Sequence, residues 1–365
     1  MAPDPRRGLR ILAVESSCDE TAVAVIEDGR RVLASVVASQ TPLHAPTGGI
    51  VPEVAARAHL RWMLPVLDAA LERAGLRGPA DVDAVAVTYG PGLAGSLLVG
   101  LTMAKTLAFL HDRPLVGVNH LEGHIYAGWL LEGEATTAAP EFPAVALVVS
   151  GGHTFLVEMR DHLEYRMLGG TVDDAAGEAF DKVGRMLGLS YPGGPAVERA
   201  AATLAQPGAD PPERRLRLPR AWLGDSLDFS FSGLKTAVRR LLTEEVGGTA
   251  DDGVTIPPPL VAVAAAAFQD SVVDVLATKT MRAAERTGAR TIVLGGGVAA
   301  NGPLRAALDA RSVALGARLV LPRAALCTDN AAMIGAAGYR RFLAGERAGL
   351  DLDARPSLRL GGSAS

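Results

Sequence analysis

The feature that most constrains the fold is an order of strands and helices that occurs twice along the chain. Each occurrence opens with three short apolar strands separated only by tight turns, which predicts an antiparallel meander. Strands that alternate with helices come next, as in βα units. In the first half these are strands at 10–16, 21–27 and 31–39, a helix over 52–74, a strand at 83–89, a helix ending at Leu110 and a strand at 114–118. In the second half they are a hairpin over 143–159 and strands at 165–171, 291–297 and 317–322.

This duplication predicts an α/β protein of two related lobes around a nucleotide cleft, as in the actin/Hsp70/sugar-kinase architecture. Residues 132–142 are small and polar, and we expect the boundary there. The prediction is an N-terminal lobe over 1–142, onto which a C-terminal helix over 329–354 packs back, and a C-terminal lobe over 143–328. Residues 355–365 are expected to form a mobile tail.

Composition excludes several classes of protein. The chain has 365 residues, of which 48% are hydrophobic, enough for a large buried core. No apolar run approaches the ~18 residues of a membrane span, and the N-terminus has no secretory signal. Two cysteines cannot form a disulfide framework. The sequence therefore predicts a soluble cytosolic protein.

Two histidines, His120 and His124, lie four residues apart in a segment with helical character. That spacing places both imidazoles on one helix face, which is a chelating geometry. A zinc protease of the H-E-x-x-H type needs its glutamate directly after the first histidine, whereas Glu122 is two residues on, about 200° around the helix. Asp329, at the predicted start of the last helix, can supply a third ligand. Two histidines and one carboxylate suit Fe(II) or Zn(II).

Glycine-rich turns follow buried strands at 150–152 and 295–297. Consecutive glycines allow backbone N–H groups to face an anion. Asn301, just after the second turn, would act as a polar anchor, and Gly193 and Gly194 at a helix start offer a further anion or hydroxyl site. Each motif alone is compatible with an ordinary turn, but together they indicate a nucleotide site.

The segment "ESSCDET" at 15–21 lies in the first predicted hairpin, where this architecture binds phosphate or its metal. Asp19 and Glu20 supply carboxylates there. A polar β-turn, which aspartate and serine favour, is the alternative interpretation.

Several segments together resemble one family in order and spacing, over roughly residues 10–340. They are ILAVESSCDETAVAV, GGIVPEVAARAH, YGPGLAGSLLVG, NHLEGHIYA, LVVSGGHT, DDAAGEAFDKVGRMLGLSYPGGP, FSFSGLKTAV, LGGGVAANGPLR and LCTDNAAMIG. The chain thus resembles the TsaD family of bacterial tRNA N6-adenosine threonylcarbamoyltransferases. The resemblance implies transfer of a threonylcarbamoyl group from L-threonylcarbamoyladenylate to N6 of adenosine 37 in tRNAs that read ANN codons, with release of AMP.

The resemblance also implies roles for individual residues. The implied ligands of one divalent metal, Fe(II) or Zn(II), are His120, His124 and Asp329, and Mg(II) would accompany a bound nucleotide. The implied adenylate contacts are Val148, Val149, Ser150, Gly151, Gly152, Asp181, Gly194, Glu198 and Asn301. Relatives often place aspartate at the position of Glu198. Asp19 or Glu20 would take the N6 proton or position the acceptor.

The implied partners are the tRNA anticodon loop, the adenylate, the proteins TsaB and TsaE, and a TsaC-type enzyme that supplies the adenylate. We expect TsaB to dock on the apolar helices near 52–74 and 95–110. The net charge of −4 gives little affinity for a polyanion. Basic residues in the Arg- and Pro-rich segment 205–226 are the local exception, namely Arg214, Arg215, Arg217 and Arg220.

Three other functions are compatible with parts of the pattern. A kinase or ATPase of the same superfamily has no need of the histidine pair. A metallopeptidase is opposed by the position of Glu122. A non-catalytic paralogue would be expected to lack the complete His-His-Asp set.

Overall fold

The structure, a computed structural model, describes residues 7–131, 138–205 and 216–361. The strands are β1 (Arg10–Glu15), β2 (Glu20–Glu27), β3 (Arg31–Ser39), β4 (Ala84–Gly90), β5 (Leu115–Asn119), β6 (Ala144–Val149), β7 (Thr154–Asp161), β8 (Glu164–Gly170), β9 (Thr291–Gly295) and β10 (Arg318–Val320). The α-helices are α1 (Thr41–His44), α2 (Pro52–Arg73), α3 (Ala94–Leu110), α4 (His120–Tyr126), α5 (Ala176–Met186), α6 (Gly193–Ala202), α7 (Ser232–Val246), α8 (Pro258–Thr287), α9 (Gly302–Leu315), α10 (Ala324–Cys327) and α11 (Ala331–Leu343). Arg214 and Arg215 lie outside the described residues.

Two five-stranded sheets share one strand order. The first is β3-β2-β1-β4-β5, and the second, read from its far edge, is β8-β7-β6-β9-β10. In each, the first strand pairs antiparallel with the second and parallel with the fourth. This order confirms the predicted α/β fold of the actin/Hsp70/sugar-kinase class with two related halves.

The chain divides into two compact units. Unit 1 comprises Met1–Pro140, Asp161–Tyr165 and Pro322–Ser365, and unit 2 comprises Glu141–Arg160 and Arg166–Leu321. Unit 1 is therefore assembled from separate stretches of sequence, and its last helix, α11, comes from the C-terminal stretch.

Helices cover both faces of the sheet in unit 1. Alternate residues of a strand face opposite sides, and Leu12 and Val14 of β1 belong to the core that α2 and α3 help to form. On the other face α11 approaches very closely. A Cβ at its Gly335 would lie 2.5 Å from Ile26, and one at its Gly338 would lie 2.6 Å from Ala86. Small residues thus allow α11 to lie directly on the sheet.

The C-terminal helix is shorter than the predicted range 329–354. It ends at Leu343 because Gly345 adopts a left-handed backbone with φ of 85°, which closes the last turn. The following stretch hydrogen-bonds to the last two strands of the sheet, β5 and β4. The Ala348 N–H donates to the carbonyl of Leu115 at 2.8 Å, and the Arg355 N–H donates to that of Tyr89 at 2.7 Å. Part of the predicted tail is therefore hydrogen-bonded to unit 1, while residues 362–365 lie outside the described residues.

Within the part of the chain that the structure describes, one helix, α8, is long and apolar enough to cross a membrane by length and composition alone. Its most apolar window is 67% buried within the fold, as in the core helix of a water-soluble domain. Such a helix is weak evidence for a membrane span.

Candidate functional site

The histidine helix α4 is short and completely buried. It begins directly after β5, and the Asn119 side chain caps it by accepting a hydrogen bond from the Leu121 N–H at 2.9 Å. A seven-residue helix gains little stability from its own backbone. Its position is set by tertiary contacts, and a Cβ at Gly123 would lie 2.7 Å from Ile334 of α11.

The predicted ligand triad converges in unit 1. His120, His124 and Asp329 each offer one ligand atom, and all three atoms lie within 4.8 Å of one another. Asp329 Oδ1 is 3.5 Å from Nε2 of His120 and 3.2 Å from Nε2 of His124. Nδ1 of His124 is buried without a hydrogen-bond partner among the described residues. Two imidazoles and one carboxylate arranged in this way fit a divalent metal ion.

Glu15 completes this centre, and sequence reasoning did not identify it. Its carboxylate Oε2 lies 3.0 Å from Nδ1 of His120 and accepts a hydrogen bond from Thr88 at 2.6 Å. A His120 that donates its Nδ1 proton to Glu15 presents the Nε2 lone pair to the centre, as in many histidine-ligated metal sites. The only prior signal was that Glu15 opens the motif that also carries Asp19.

Electrostatics at the centre favour a positive charge. Burial alone would lower the pKa of His120, but the carboxylates of Asp329 and Glu15 outweigh burial and raise it to about 9. Burial would raise the pKa of Glu15, but His120 more than offsets this, so the pKa is lowered. Two carboxylates therefore stabilise a cation here, and a metal that binds would displace the proton.

Of the two predicted acidic residues, Asp19 lies in the turn between β1 and β2, and Glu20 is the first residue of β2. Burial raises the pKa of Glu20 to about 7, although the Ser39 hydroxyl donates to its Oε1 at 2.8 Å. Burial and the nearby Asp329 also raise the pKa of Asp19. A hydrogen bond from α2 fixes the turn: Nε2 of the buried His59 donates to the carbonyl of Cys18 at 3.0 Å. A carboxyl group whose pKa is about 7, as for Glu20, is suited to accept a proton near neutral pH.

In unit 2 the first glycine turn is open on one side. The side chains of Val148 and Val149 are fully buried, so these residues can reach a ligand only through their backbone. A Cβ at Gly151 or Gly152 would meet no atom within 4 Å. The other side of the turn is tightly packed, since a Cβ at Gly177 of α5 would lie 2.5 Å from the carbonyl of Ser150. The free face of this turn has room for an anion.

The second glycine turn lies beside the first. Gly296 has φ of 89°, and a Cβ there would lie 2.3 Å from the carbonyl of Val149. Gly297, the next residue, has open space around it. The structure thus brings together the two turns that the sequence separates by more than a hundred residues.

The remaining predicted contacts form two pairs within unit 2. The Asp181 carboxylate accepts a hydrogen bond from the Gly193 N–H at 2.7 Å and so fixes the start of α6, while Gly194 is open. Asn301 donates to Glu198 at 3.2 Å and to Gln269 at 2.9 Å. Gln269 was not predicted, because a single glutamine on a long helix carries no sequence signal of such a contact.

The fold and the site define a class of protein. This is a two-unit α/β protein of the actin/Hsp70/sugar-kinase class, with a buried His-His-Asp centre in one unit and open glycine turns in the other. The TsaD family, described as tRNA N6-adenosine threonylcarbamoyltransferase, matches residues 31–336. The chain belongs to this family, and it is a tRNA-modifying acyltransferase.

Curated relatives match this chain over nearly its full length. A protein of Thermomicrobium roseum is 53% identical over 366 residues, covering 96% of each chain. One of Symbiobacterium thermophilum is 54% identical over 351 residues, covering 96% of this chain and 97% of the relative. Both are named tRNA N6-adenosine threonylcarbamoyltransferase. A kinase or ATPase function is not favoured by these matches.

Solved structures support the fold alone. Full-length HypF in its phosphate- and nucleotide-bound form has a TM-score of 0.58 at 14% identity, covering 93% of this chain and 47% of HypF. HypF of T. kodakarensis has a TM-score of 0.55 at 14% identity, covering 94% of this chain and 49% of that protein.

Proposed function

We propose that this chain transfers the threonylcarbamoyl group from L-threonylcarbamoyladenylate to N6 of adenosine 37 in tRNAs that read ANN codons, and releases AMP. Its relatives carry the name of this activity over nearly their whole length. The observation on the chain itself that carries the proposal is the convergence of His120, His124 and Asp329. A phosphoryl-transfer enzyme of the same fold does not need such a centre.

The metal proposed for this centre is Fe(II), with Zn(II) as the alternative, because a two-histidine, one-carboxylate set suits both. When bound, the ion supplies a Lewis acid that polarises the carbamoyl group. Glu15 holds His120 in the tautomer that presents Nε2 to the ion. Mg(II) would accompany the phosphate of a bound nucleotide.

The adenylate is proposed to bind in unit 2. Backbone N–H groups of Gly151 and Gly152 hold its phosphate, since glycine turns of this kind receive anions. The Ser150 N–H donates to the carbonyl of His153 at 2.7 Å, so Ser150 would reach the phosphate through its hydroxyl. The backbone at Val148 and Val149 lies next to this turn and would also contact the adenylate. The other proposed contacts to the nucleotide are Asp181, Gly194, Glu198 and Asn301.

The transfer itself forms one bond and breaks another. The N6 amine of adenosine attacks the carbamoyl carbon, the N–C bond forms, and the bond from that carbon to the AMP phosphate oxygen breaks with its electron pair leaving on AMP. The N6 proton passes to Glu20 or Asp19, whose pKa values are raised. Adenosine 37 lies in the anticodon loop, so it can be turned out without opening a duplex.

Protein partners are proposed from the surface of unit 1. Helices α2 and α3 pack against each other, and they leave large apolar side chains exposed. These are Val54, Leu60, Trp62 and Leu64 on α2, and Leu98, Phe109 and Leu110 on α3. We propose the exposed surface of these two helices as the docking surface for TsaB, with TsaE as a further partner and a TsaC-type enzyme as the source of adenylate. Such a tRNA-modifying assembly would work in the cytoplasm.

The decisive experiment is mass spectrometry of tRNA nucleosides from a strain depleted of this protein and complemented with variants. The wild-type chain should restore threonylcarbamoyladenosine, and Asp329→Ala should not, because one of three ligands is lost. The purified Asp329→Ala protein should also lose its metal in elemental analysis while keeping its fold. Asp19→Asn is the matched control, since Asp19 lies near Asp329 but offers no ligand, and it should retain the metal. Unchanged metal content in Asp329→Ala would contradict the proposed centre.

A further inference from the structure

The glutamate inside the histidine motif has a partner on the far side of its helix. Glu122 lies about 200° around α4 from both His120 and His124, at 100° per residue. Its carboxylate is fully buried against Arg341 of α11, whose side chain is 8% exposed. Nε and Nη2 of Arg341 donate to Oε2 at 2.8 and 2.7 Å, and Tyr165 donates to Oε1 at 2.8 Å.

This ion pair connects the two elements that carry the ligands. His120 and His124 lie on α4, two residues before and two residues after Glu122. Asp329 lies two residues before α11, and Asn330 caps that helix by accepting from the Met333 N–H at 3.0 Å. A closed path therefore runs from the histidines through α4, the ion pair and α11 back to the aspartate.

We propose that Glu122 and Arg341 are positioning residues that set the rotation of α4, and thereby the metal affinity and ligand geometry of the His-His-Asp centre. A seven-residue helix can roll about its axis unless something on its surface is fixed. Two guanidinium N–H groups and one hydroxyl fix Glu122 from two directions. A roll of α4 would move both imidazoles relative to Asp329. The inference rests on the proposed metal centre and names residues that the centre needs besides its ligands.

The geometry supplies a matched control. Arg341 has a second carboxylate neighbour, since its Nη1 donates to Glu346, whose side chain is 44% exposed. Glu346→Gln removes a charge from the same arginine but leaves the contact to α4 intact. Glu122→Gln keeps the size of the side chain and leaves Arg341 paired with Glu346. Of the two variants, only Glu122→Gln removes the ion pair between α4 and α11.

The test is a titration of the full-length, metal-free chain with Co²⁺, followed by its visible absorption bands, together with Zn²⁺ affinity by chelator competition. We expect Glu122→Gln to weaken both affinities roughly tenfold or more, in the range that outer-shell changes produce, and to change the Co²⁺ spectrum. Glu346→Gln should leave both affinities within about twofold and the spectrum unchanged. Arg341→Lys, which keeps a counter-charge for Glu122 but has a single ammonium group, should behave as Glu122→Gln does.

The outcomes separate the two proposals. If the wild-type chain does not bind one Co²⁺ with histidine-type bands, the metal centre itself is wrong. If it does bind, and Glu122→Gln and Arg341→Lys bind as the wild type does while their melting temperatures fall, the pair is only structural. Equal weakening by Glu122→Gln and Glu346→Gln would also overturn the positioning role. If Glu122→Gln does not fold, Arg341→Lys decides.

Discussion

Three glutamates in the region of the His-His-Asp centre carry the same carboxyl group in three different environments. Glu15 faces His120, which lowers the pKa of its carboxyl group. Glu20 lies partly buried at the start of β2, where desolvation raises its pKa to about 7. Glu122 is fully buried with a guanidinium partner. These environments are the basis on which we propose different roles for them: orientation of His120 for Glu15, proton transfer for Glu20 and the position of α4 for Glu122.

Glu20 gives the activity a predictable dependence on pH. The transfer rate should rise through about pH 7 in the wild type, because Glu20 accepts a proton only when ionised. Glu20→Gln should lower the rate at pH 8 by about 100-fold and remove this rise. The measurement is single-turnover transfer with adenylate supplied, from pH 5.5 to 8.5.

The same pKa has a consequence for stability that serves as a check. A carboxyl group whose pKa is raised on folding stabilises the fold below its ordinary pKa of 4.5 and loses that contribution as pH rises through about 7. Relative to Glu20→Gln, the wild type should therefore become less stable between pH 4.5 and pH 7. A rate profile that Glu20→Gln leaves unchanged, with Asp19→Asn abolishing the rise, would assign the base to Asp19 instead.

Among the elements, the glycine turns of unit 2 contain two kinds of glycine. Gly177 and Gly296 are required by close packing against the backbone of Ser150 and Val149. Gly151 and Gly152 face open space. The first kind supports the turn and the second leaves room for a ligand, so the two should respond differently to substitution.

Gly152→Val should weaken binding of threonylcarbamoyl-AMP at least tenfold, because the new side chain occupies the space proposed for phosphate. It should change the free energy of unfolding by no more than about 0.5 kcal/mol, as at other open surface positions. Gly177→Ala is the matched contrast, and it should lower the melting temperature because its Cβ meets the Ser150 carbonyl at 2.5 Å. Calorimetry gives both quantities, and adenylate affinity within about twofold for Gly152→Val would show that the turn is only a hairpin.

The exposed face of α2 and α3 can be tested in the same way. Leu60→Asp, at a side chain that is 69% exposed, should weaken association with TsaB at least tenfold without loss of stability. Val313→Asp on α9 of unit 2 is the control, since Val313 is 76% exposed and lies outside the proposed face. Analytical ultracentrifugation of each variant with TsaB measures the effect, and equal weakening by both substitutions would argue against a specific docking surface.

Sequence patterns anticipated the elements better than the contacts between them. The strands of each meander are apolar runs bounded by turns, so β1 to β3 could be placed within about a residue. The pair His120 and His124 followed from helical spacing, which is local. Glu15 and Arg341 did not, because the contacts they make join segments more than a hundred residues apart and leave no periodic signature. The predicted range 329–354 extends past the end of α11 because the left-handed Gly345 stops the helix, whereas the apolar pattern alone does not mark that end.

For the whole molecule, charge and substrate are mismatched. The chain has a net charge of −4, whereas tRNA is a polyanion. Arg220 and Arg311 both pair with Asp274, so part of the basic charge of unit 2 is already neutralised within the protein. Affinity for RNA depends mainly on phosphates neutralised and counterions released.

The isolated chain should therefore bind tRNA weakly, with a log–log salt slope of magnitude below about 3, which corresponds to few neutralised phosphates. Addition of TsaB and TsaE should raise the rate of tRNA modification with adenylate supplied. The assay compares the chain alone and with partners from 50 to 200 mM salt, a range over which phosphate contacts weaken strongly. Full multiple turnover by the isolated chain at physiological salt would contradict this expectation.

The discontinuity of unit 1 has a consequence for how the protein is made. Its sheet precedes unit 2 in the sequence, but α11, which lies directly on that sheet and follows Asp329, leaves the ribosome only after unit 2. Unit 2 is encoded almost entirely between them, so it can complete its own core first, as domains fold in order during synthesis. Until α11 is synthesised, His120 and His124 lack both the carboxylate of Asp329 and the guanidinium of Arg341. The proposed metal centre can therefore form only after α11 has been synthesised, and a product truncated before Asp329 can retain an intact unit 2 while lacking one of the three proposed ligands.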